Sequence, residues 1–259
     1  MPPIEAIREI LAKTKLTAVA AVVGATVTGC AAHAADTNVA VAANFTDPGK
    51  EIARLFEAKT GHKAILSFGA TGQFHTQITQ AAPFQVFLSA DRSTPKKLVD
   101  DGLAVGESLF TYAIGKLVLF SASAELVQGE RTLRDARFEK IAIANPVTAP
   151  YGAAAVEVMK ALGVHERLAG KIVQGSNIVQ TFQFVDTGNA ELGFVALSEV
   201  IERRGGSRWI VAPSLYTPIR QDAVLLKNAA GNDAARAFIA FLKGPEALAV
   251  IEKYGYGVE

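Results

Sequence analysis

The stretch Ser67-Phe68-Gly69-Ala70-Thr71-Gly72-Gln73 lies between an apolar run, residues 64–66, and a run with the apolar spacing of a helix, which places Phe74 and Ile78 one turn apart. A small, glycine-rich turn between a strand and a helix leaves the first N–H groups of that helix free and directed forward. Those groups and the helix dipole can bind an anion without a positive side chain. The stretch equally fits an ordinary strand–helix turn in which Thr71 caps the helix.

The same order of strand, polar turn and helix recurs along the chain. An apolar run at residues 38–43 is followed by Asn44, and a second run at residues 86–88 is followed by Ser89. Strands that alternate with helices predict a parallel sheet, and ligands of such sheets bind beyond the carboxyl ends of the strands. We expect Asn44, Thr71 and Ser89 to lie at that edge.

Two extended stretches, around residues 112–120 and 217–226, interrupt this alternation. They predict two places where the chain crosses between lobes, which is the geometry of hinge closure around a small ligand. The predicted fold is therefore α/β and two-lobed, with each lobe a mainly parallel sheet flanked by helices and with two hinge crossings. The predicted lobe I contains residues 35–114 and 219–259, and the predicted lobe II contains residues 115–218.

Residues 1–34 have the layout of a secretory signal peptide. Basic residues precede an apolar run at residues 16–27, and small residues ending at Ala34 form a cleavage site. The run is too short to span a bilayer comfortably. Residues 27–30 (VTGC) also resemble a lipoprotein box, in which Cys30 would carry a lipid anchor, so cleavage after Ala34 and lipidation at Cys30 both stay open. Either alternative predicts export to the periplasm, and a single cysteine forms no structural disulfide.

The charge balance and the missing motifs exclude several classes of protein. The formal net charge is +1, from 26 basic and 25 acidic residues, and no basic stripe indicates nucleic-acid binding. The sequence contains no Gly-x-Ser-x-Gly elbow and no phosphate-binding Gly-x-x-x-x-Gly-Lys-Ser/Thr loop. Its four histidines are scattered, and no His-x-x-x-His pair or cysteine cluster offers a metal site. We therefore expect a monomeric binding protein and not an enzyme.

A set of short motifs, in a fixed order, carries a family resemblance. The chain resembles the periplasmic molybdate-binding proteins of bacterial ABC transporters, which have the type II periplasmic-binding-protein fold. The resemblance covers about residues 37–258. It rests chiefly on residues 41–46 (VAANFT), 67–72 (SFGATG), 110–119 (FTYAIGKLVL), 149–152 (APYG), 192–197 (LGFVAL) and 243–245 (KGP).

The resemblance implies a function and a set of ligand residues. It implies that the protein binds molybdate, and also tungstate, in the cleft between the lobes and delivers it to an integral-membrane permease driven by a cytoplasmic ATPase. No cofactor is expected, and molybdenum would be held as molybdate without direct metal-ligand side chains. The positions that match the family's oxyanion ligands are Asn44, Thr71, Tyr151, Ile178 through its backbone N–H, and Ala43 through its backbone.

Two departures from the family pattern leave alternatives open. One branch of the family has Thr where this chain has Ala43, and another has a Tyr hydroxyl where this chain has Ala196. The alternatives are a binder of sulfate or another tetrahedral oxyanion, and an exported module that kept the fold and lost the ligand. Asn44 also fits a simple turn residue, Tyr151 an aromatic packed at the cleft rim, and Ile178 a core residue.

Overall fold

A computed structural model describes residues 34–259. The predicted signal peptide, apart from Ala34, and the predicted lipidation at Cys30 lie outside the described residues. Within the described part, no helix is both long enough and apolar enough to cross a membrane.

The strands and helices alternate along most of this part of the chain. The strands are β1 (Asp36–Ala42), β2 (Lys63–Gly69), β3 (Val86–Leu88), β4 (Phe110–Gly115), β5 (Leu117–Ser121), β6 (Ile141–Ala144), β7 (Ile172–Gly175), β8 (Leu192–Ala196), β9 (Ser207–Ile210) and β10 (Ile219–Leu225). The helices are α1 (Thr46–Thr60), α2 (Thr71–Thr79), α3 (Ser93–Asp100), α4 (Glu130–Asp135), α5 (Pro150–Ala161), α6 (His165–Leu168), α7 (Ile178–Asp186), α8 (Leu197–Val200), α9 (Asp233–Leu242) and α10 (Pro245–Lys253).

The strands form two sheets of five. The first has the order β2-β1-β3-β10-β4 and the second the order β7-β6-β8-β5-β9. In the first sheet β1 runs parallel to β2 and β3, and in the second β6 runs parallel to β7 and β8. The predicted parallel arrangement is confirmed for these strands. Each sheet also contains one strand that pairs antiparallel on both sides, β10 in the first and β5 in the second.

The antiparallel strands lie where the chain passes between the sheets. Only Lys116 separates β4 of the first sheet from β5 of the second. The chain returns from β9 to β10 over residues 211–218, which include a short 3-10 helix, Pro213–Leu215. The first sheet therefore combines strands from both ends of the described chain, whereas the second is continuous in sequence.

Burial follows the hydrophobic runs of the sequence. Every residue of β5, β6 and β8 is buried, as expected for strands covered on both faces. The edge strand β2 is more exposed, since it has a neighbour on one side only. Helices α1 and α9 pack against each other through edge-to-face contacts of Phe56 with Phe238 and Phe241. Both helices also contact strands of the first sheet, α1 at β2 and α9 at β1.

Candidate functional site

A small cavity lies beyond the carboxyl ends of strands from both sheets. Its volume is about 10 Å³, close to the space of one water-sized sphere. All five predicted ligand positions line it. The lining residues are Ala42, Ala43, Asn44, Gly69, Ala70, Thr71, Ala90, Ala149, Pro150, Tyr151, Asn177 and Ile178.

Helix starts supply much of this lining. Helix α2 begins at Thr71, α5 begins at Pro150 immediately before Tyr151, and α7 begins at Ile178. A 3-10 turn, Ala43–Phe45, adds a fourth start directly after β1. The first N–H groups of a helix have no acceptor within the helix and carry the positive end of its dipole. Backbone donors of these turns therefore lie beside the cavity, although Pro150 itself has no N–H.

Thr71 occupies the first helical position and not the cap, which is Ala70. Its hydroxyl oxygen accepts a hydrogen bond of 3.0 Å from the backbone N–H of Ala90. That contact uses a lone pair and leaves the hydroxyl hydrogen free. Thr71 is 2% exposed, so the free donor remains inside the cleft region. The side chain can thus offer an O–H to a ligand in the cavity while its backbone N–H lies in the first turn of α2.

Asn177 organises the start of α7. Its Oδ1 accepts a hydrogen bond of 3.0 Å from the N–H of Gln180, which is the usual capping contact. The N–H of Ile178 remains in the first turn, and its apolar side chain is buried in the core. The side chain and the backbone of Ile178 therefore have separate roles, and its burial as a core residue is compatible with a backbone donor at the cavity.

Asn44 belongs to a buried hydrogen-bonded network behind the cavity. Its Nδ2 donates to Oε1 of Gln221 at 2.7 Å and to the hydroxyl of Tyr256 at 3.0 Å. Its backbone oxygen accepts from the hydroxyls of Tyr256 at 2.6 Å and Ser198 at 3.0 Å. Asn44 is more than a simple turn residue, because its hydrogen bonds join the first sheet, the C-terminal segment and helix α8.

Tyr151 is fully enclosed and reaches toward the crossing between the sheets. Its hydroxyl is buried and has no hydrogen-bond partner among the described residues. A Cβ on Gly115 would overlap this hydroxyl, so the absence of a side chain at residue 115 makes room for the phenol. Burial, followed by the neighbouring Tyr256, raises the pKa of Tyr151 well above its usual value. The phenol is therefore a neutral O–H donor at physiological pH.

The electrostatics of the site are those of neutral dipoles. None of the residues lining the cavity carries a charged side chain. Helix α8 carries an acidic residue, Glu199, whose Oε2 accepts from the N–H of Ala196 at 2.9 Å. Burial raises the pKa of Glu199 to about 8, so its carboxyl is mostly protonated at neutral pH. Ala196 itself contributes no side-chain donor.

A larger cleft of about 470 Å³ opens beside the small cavity and shares part of its lining, including Thr71 and Ala149. It also contains charged side chains of both signs, among them Arg92 and Glu157. Mixed charges of this kind do not define an anion site. Because the cleft adjoins the cavity, it provides a route from the surface to the helix starts.

Direct contacts close the cleft around the cavity. The backbone N–H of Gly72 in α2 donates to the backbone oxygen of Thr148, in the loop before α5, at 2.9 Å. A Cβ at residue 72 would lie 3.0 Å from Cα of Thr148, which is closer than ordinary van der Waals contact. The structure is thus a closed form, in which elements attached to the two sheets touch through main-chain atoms.

Several residues of this site were absent from the sequence prediction. Ala90 and Asn177 line the cavity, and Gln221 and Tyr256 hold Asn44. The capping position of Asn177 before an apolar helical run could have revealed it. The sequence around Gln221 and Tyr256 gives no comparable signal, since their role depends on contacts with a distant part of the chain.

Within residues 34–259, no group of three or more His, Cys, Asp or Glu residues is arranged to hold a metal ion. The donors that surround the cavity are N–H and O–H groups, which suit the oxygens of an anion and not a bare cation.

The fold and the site define a class of exported binding proteins. Residues 37–257 match the family model described as bacterial extracellular solute-binding protein, and the chain belongs to this family.

Particular relatives make the similarity more specific. The chain is 57% identical to the molybdate-binding protein ModA of Rhodobacter capsulatus over 228 residues, which cover 88% of this chain and 90% of that protein. It is 55% identical to a ModA of Azotobacter vinelandii over 240 residues, 91% of this chain and 95% of that protein. A solved structure of a periplasmic molybdate-binding protein from Azotobacter vinelandii superimposes with a TM-score of 0.84 at 39% identity, covering 86% of this chain and 99% of that one.

Proposed function

We propose that this protein is the exported substrate-binding component of an ABC transporter and that it binds molybdate, with tungstate as a close substitute. The proposed ligand groups are the side chains of Asn44, Thr71 and Tyr151 and the backbone N–H groups of Ile178 and Ala43. The similarity to molybdate-binding relatives supports the ligand, and the arrangement of neutral donors supports the mode of binding.

One observation carries the proposal: helix starts from both halves of the fold meet at a cavity whose lining has no charged side chain. A dianion loses a large hydration energy when it leaves water and needs several simultaneous hydrogen bonds to compensate. Hydrogen bonds to an ionised group are about twice as strong as those between neutral groups. Several backbone and hydroxyl donors can therefore hold a dianion without lysine or arginine.

Donors of this kind also select the protonation state of the ligand. An anion that carries a proton would direct an O–H against the N–H and O–H donors of the site. That mismatch leaves polar groups unsatisfied and costs roughly 1–3 kcal/mol. The site should therefore prefer fully ionised tetrahedral anions over protonated phosphate.

The two-lobed fold supplies the motion that such binding needs. We propose lobe boundaries at residues 35–114 with 219–259 for the first lobe and 115–218 for the second. Lys116 and residues 211–218 connect the two sheets and are the candidate hinges. Rotation about these hinges would open the cavity to admit a tetrahedral anion and close it again.

The remaining parts of the proposal concern the cell. A binding protein of this family works in the periplasm, and we propose export through the signal peptide of residues 1–34, with Cys30 as an alternative lipid anchor. The partners would be a membrane permease and its cytoplasmic ATPase. The protein would act as a monomer without catalytic activity or a bound cofactor.

Calorimetric titration of the mature protein with molybdate, tungstate, sulfate and phosphate tests the proposal. We expect molybdate and tungstate to bind at micromolar concentrations or below and phosphate to bind far more weakly. Absence of molybdate binding in that range would refute the assignment.

Sulfate is the second candidate, because it is also a fully ionised tetrahedral dianion and a lining without charged side chains suits it in the same way. The same titration separates the two: sulfate binding tighter than molybdate would favour the second candidate. If none of the four anions binds, the alternative of an exported module without a ligand is favoured.

A further inference from the structure

Gln221 is a buried polar residue that lies next to the proposed oxyanion site but does not line the cavity. It is 0% exposed and belongs to β10, directly after the crossing from the second sheet. Its Oε1 accepts from Nδ2 of Asn44 at 2.7 Å and lies 3.4 Å from the hydroxyl of Tyr112. Its Nε2 is buried and has no hydrogen-bond partner among the described residues.

The unpartnered amide faces a second unpartnered group. A Cβ on Gly115 would lie 3.2 Å from Nε2 of Gln221 and 2.8 Å from Cζ of Tyr151. The Tyr151 hydroxyl in the same place also lacks a partner. Buried donors without acceptors are rare in folded proteins, and each such group calls for a physical reason. Gln221 therefore lies between two proposed ligand residues, Asn44 on one side and Tyr151 on the other.

In the observed hydrogen-bond pattern, both side-chain donors of Asn44 are occupied. Both N–H bonds of its carboxamide are committed, one to Gln221 and one to Tyr256. In this arrangement Asn44 has no side-chain N–H left for an anion. A carboxamide oxygen and nitrogen occupy nearly the same space, so a second arrangement exists in which both amides are turned over.

The second arrangement reverses the direction of the 2.7 Å contact: Nε2 of Gln221 donates to Oδ1 of Asn44. The hydroxyl of Tyr256 then donates to the same Oδ1, while Ser198 still satisfies the backbone oxygen of Asn44. The oxygen of Gln221 then takes the place of the unpartnered Nε2, on the side of Gly115. Both N–H bonds of Asn44 become available for the cavity.

We propose that Gln221 is a positioning residue of the oxyanion site, which sets the orientation of the Asn44 carboxamide so that its NH₂ group faces the bound anion. An anion in the cavity favours the second arrangement, because in it the anion accepts hydrogen bonds from the NH₂ group of Asn44. In the first arrangement the anion would lie against the carboxamide oxygen of Asn44. This role rests on the proposed function, since it presupposes an anion in the cavity.

A double-mutant cycle with molybdate as the probe tests this role. Gln221→Met keeps the approximate length of the side chain and removes both polar ends, and we expect roughly tenfold weaker binding, as for the loss of one hydrogen bond to an ion. Asn44→Ala should weaken binding at least as much. The double variant should bind no more weakly than Asn44→Ala alone, because Gln221 acts through Asn44.

A matched control uses another fully buried polar residue of the same sheet. Thr37 on β1 is 0% exposed and its hydroxyl also lacks a partner. Thr37→Val should leave the affinity for molybdate unchanged. The melting temperature of each unliganded variant shows whether it folds. If Gln221→Met does not fold, Gln221→Asn replaces it, because its amide is one methylene too short to reach Asn44, and the same losses are expected.

The outcomes separate the positioning role from the proposed function. If the wild-type protein binds none of the oxyanions, the proposed function fails. If the wild type binds molybdate and Gln221→Met binds equally tightly, the positioning role is overturned. The positioning role is also overturned if the affinity losses of the two single variants multiply in the double variant. Such a result would mean that Gln221 affects binding independently of Asn44.

Discussion

Closure of the cleft should depend on the absence of a side chain at Gly72. Its N–H donates to the backbone oxygen of Thr148 at 2.9 Å, and a Cβ at residue 72 would lie 3.0 Å from Cα, 3.2 Å from Cβ and 3.3 Å from the oxygen of Thr148. Gly72→Ala therefore introduces overpacking in the closed form, at the contact between α2 and the loop before α5. Overpacking of this kind typically costs about 1–3 kcal/mol.

The effect of Gly72→Ala on stability differs in sign between the closed and open forms. Gly72 is the second residue of α2, where alanine is intrinsically better than glycine by about 1 kcal/mol. In an open form without the Thr148 contact, the variant should be as stable as the wild type or slightly more stable. The substitution therefore raises the free energy of the closed form alone. An increase of about 1–3 kcal/mol corresponds to roughly 5- to 150-fold weaker binding of molybdate.

Two measurements check this prediction. Calorimetry gives the affinity for molybdate, and small-angle scattering with saturating molybdate reports whether the lobes close. The control is Gly170→Ala, because a Cβ at residue 170 would have no other atom within 4 Å. Wild-type affinity in Gly72→Ala would refute the reasoning, and so would an equal loss of affinity in Gly170→Ala.

Other predictions concern Thr71, Glu199 and Gly115. Thr71→Val should weaken molybdate binding by roughly 10- to 150-fold in calorimetry, since a hydrogen bond to a charged group is lost. Thr71→Ser keeps the hydroxyl and should bind molybdate about as tightly as the wild type. Equal affinities of the two variants would contradict the role of the hydroxyl. The pKa of Glu199 is about 8 in the folded protein, against an ordinary value of 4.5. As the pH rises, the unfolded chain therefore loses this proton before the folded protein does. The free energy of unfolding should consequently fall between about pH 4.5 and about pH 8. Glu199→Gln should remove up to about 4 kcal/mol of that decline. Urea unfolding at about 25 °C, between pH 5 and pH 8, gives the stability of the variant and of the wild type. If the two stability curves are parallel, the carboxyl of Glu199 is not responsible for the decline. Gly115→Ala should lower the melting temperature of the unliganded protein by roughly 2–12 °C through overlap with Tyr151, while Gly170→Ala should not; an unchanged melting temperature would mean that the phenol can move away at little cost.

Local spacing was sufficient for most of the secondary structure. The apolar runs at residues 38–43 and 86–88 correspond to β1 and β3, and the small-residue turn at residues 67–73 does lead from β2 into α2. These features depend on neighbours in sequence, namely on the period of apolar residues and on turn chemistry. The same information predicted that polar groups would gather at one edge of the sheets.

The sequence by itself determined that a helix begins near Thr71 after a small, glycine-rich turn, because a helix start is a local property of a few residues. Only the tertiary structure decided that several helix starts share one cavity, that β5 and β10 enter their sheets antiparallel, and that Gln221 and Tyr256 hold Asn44 from 177 and 212 residues away. The burial of Glu199 and the contact of Gly72 with Thr148 were decided in the same way. Contacts over such separations arise from the packing of whole layers against one another, and no local pattern of residues encodes the distance between two atoms that meet only when the chain has folded.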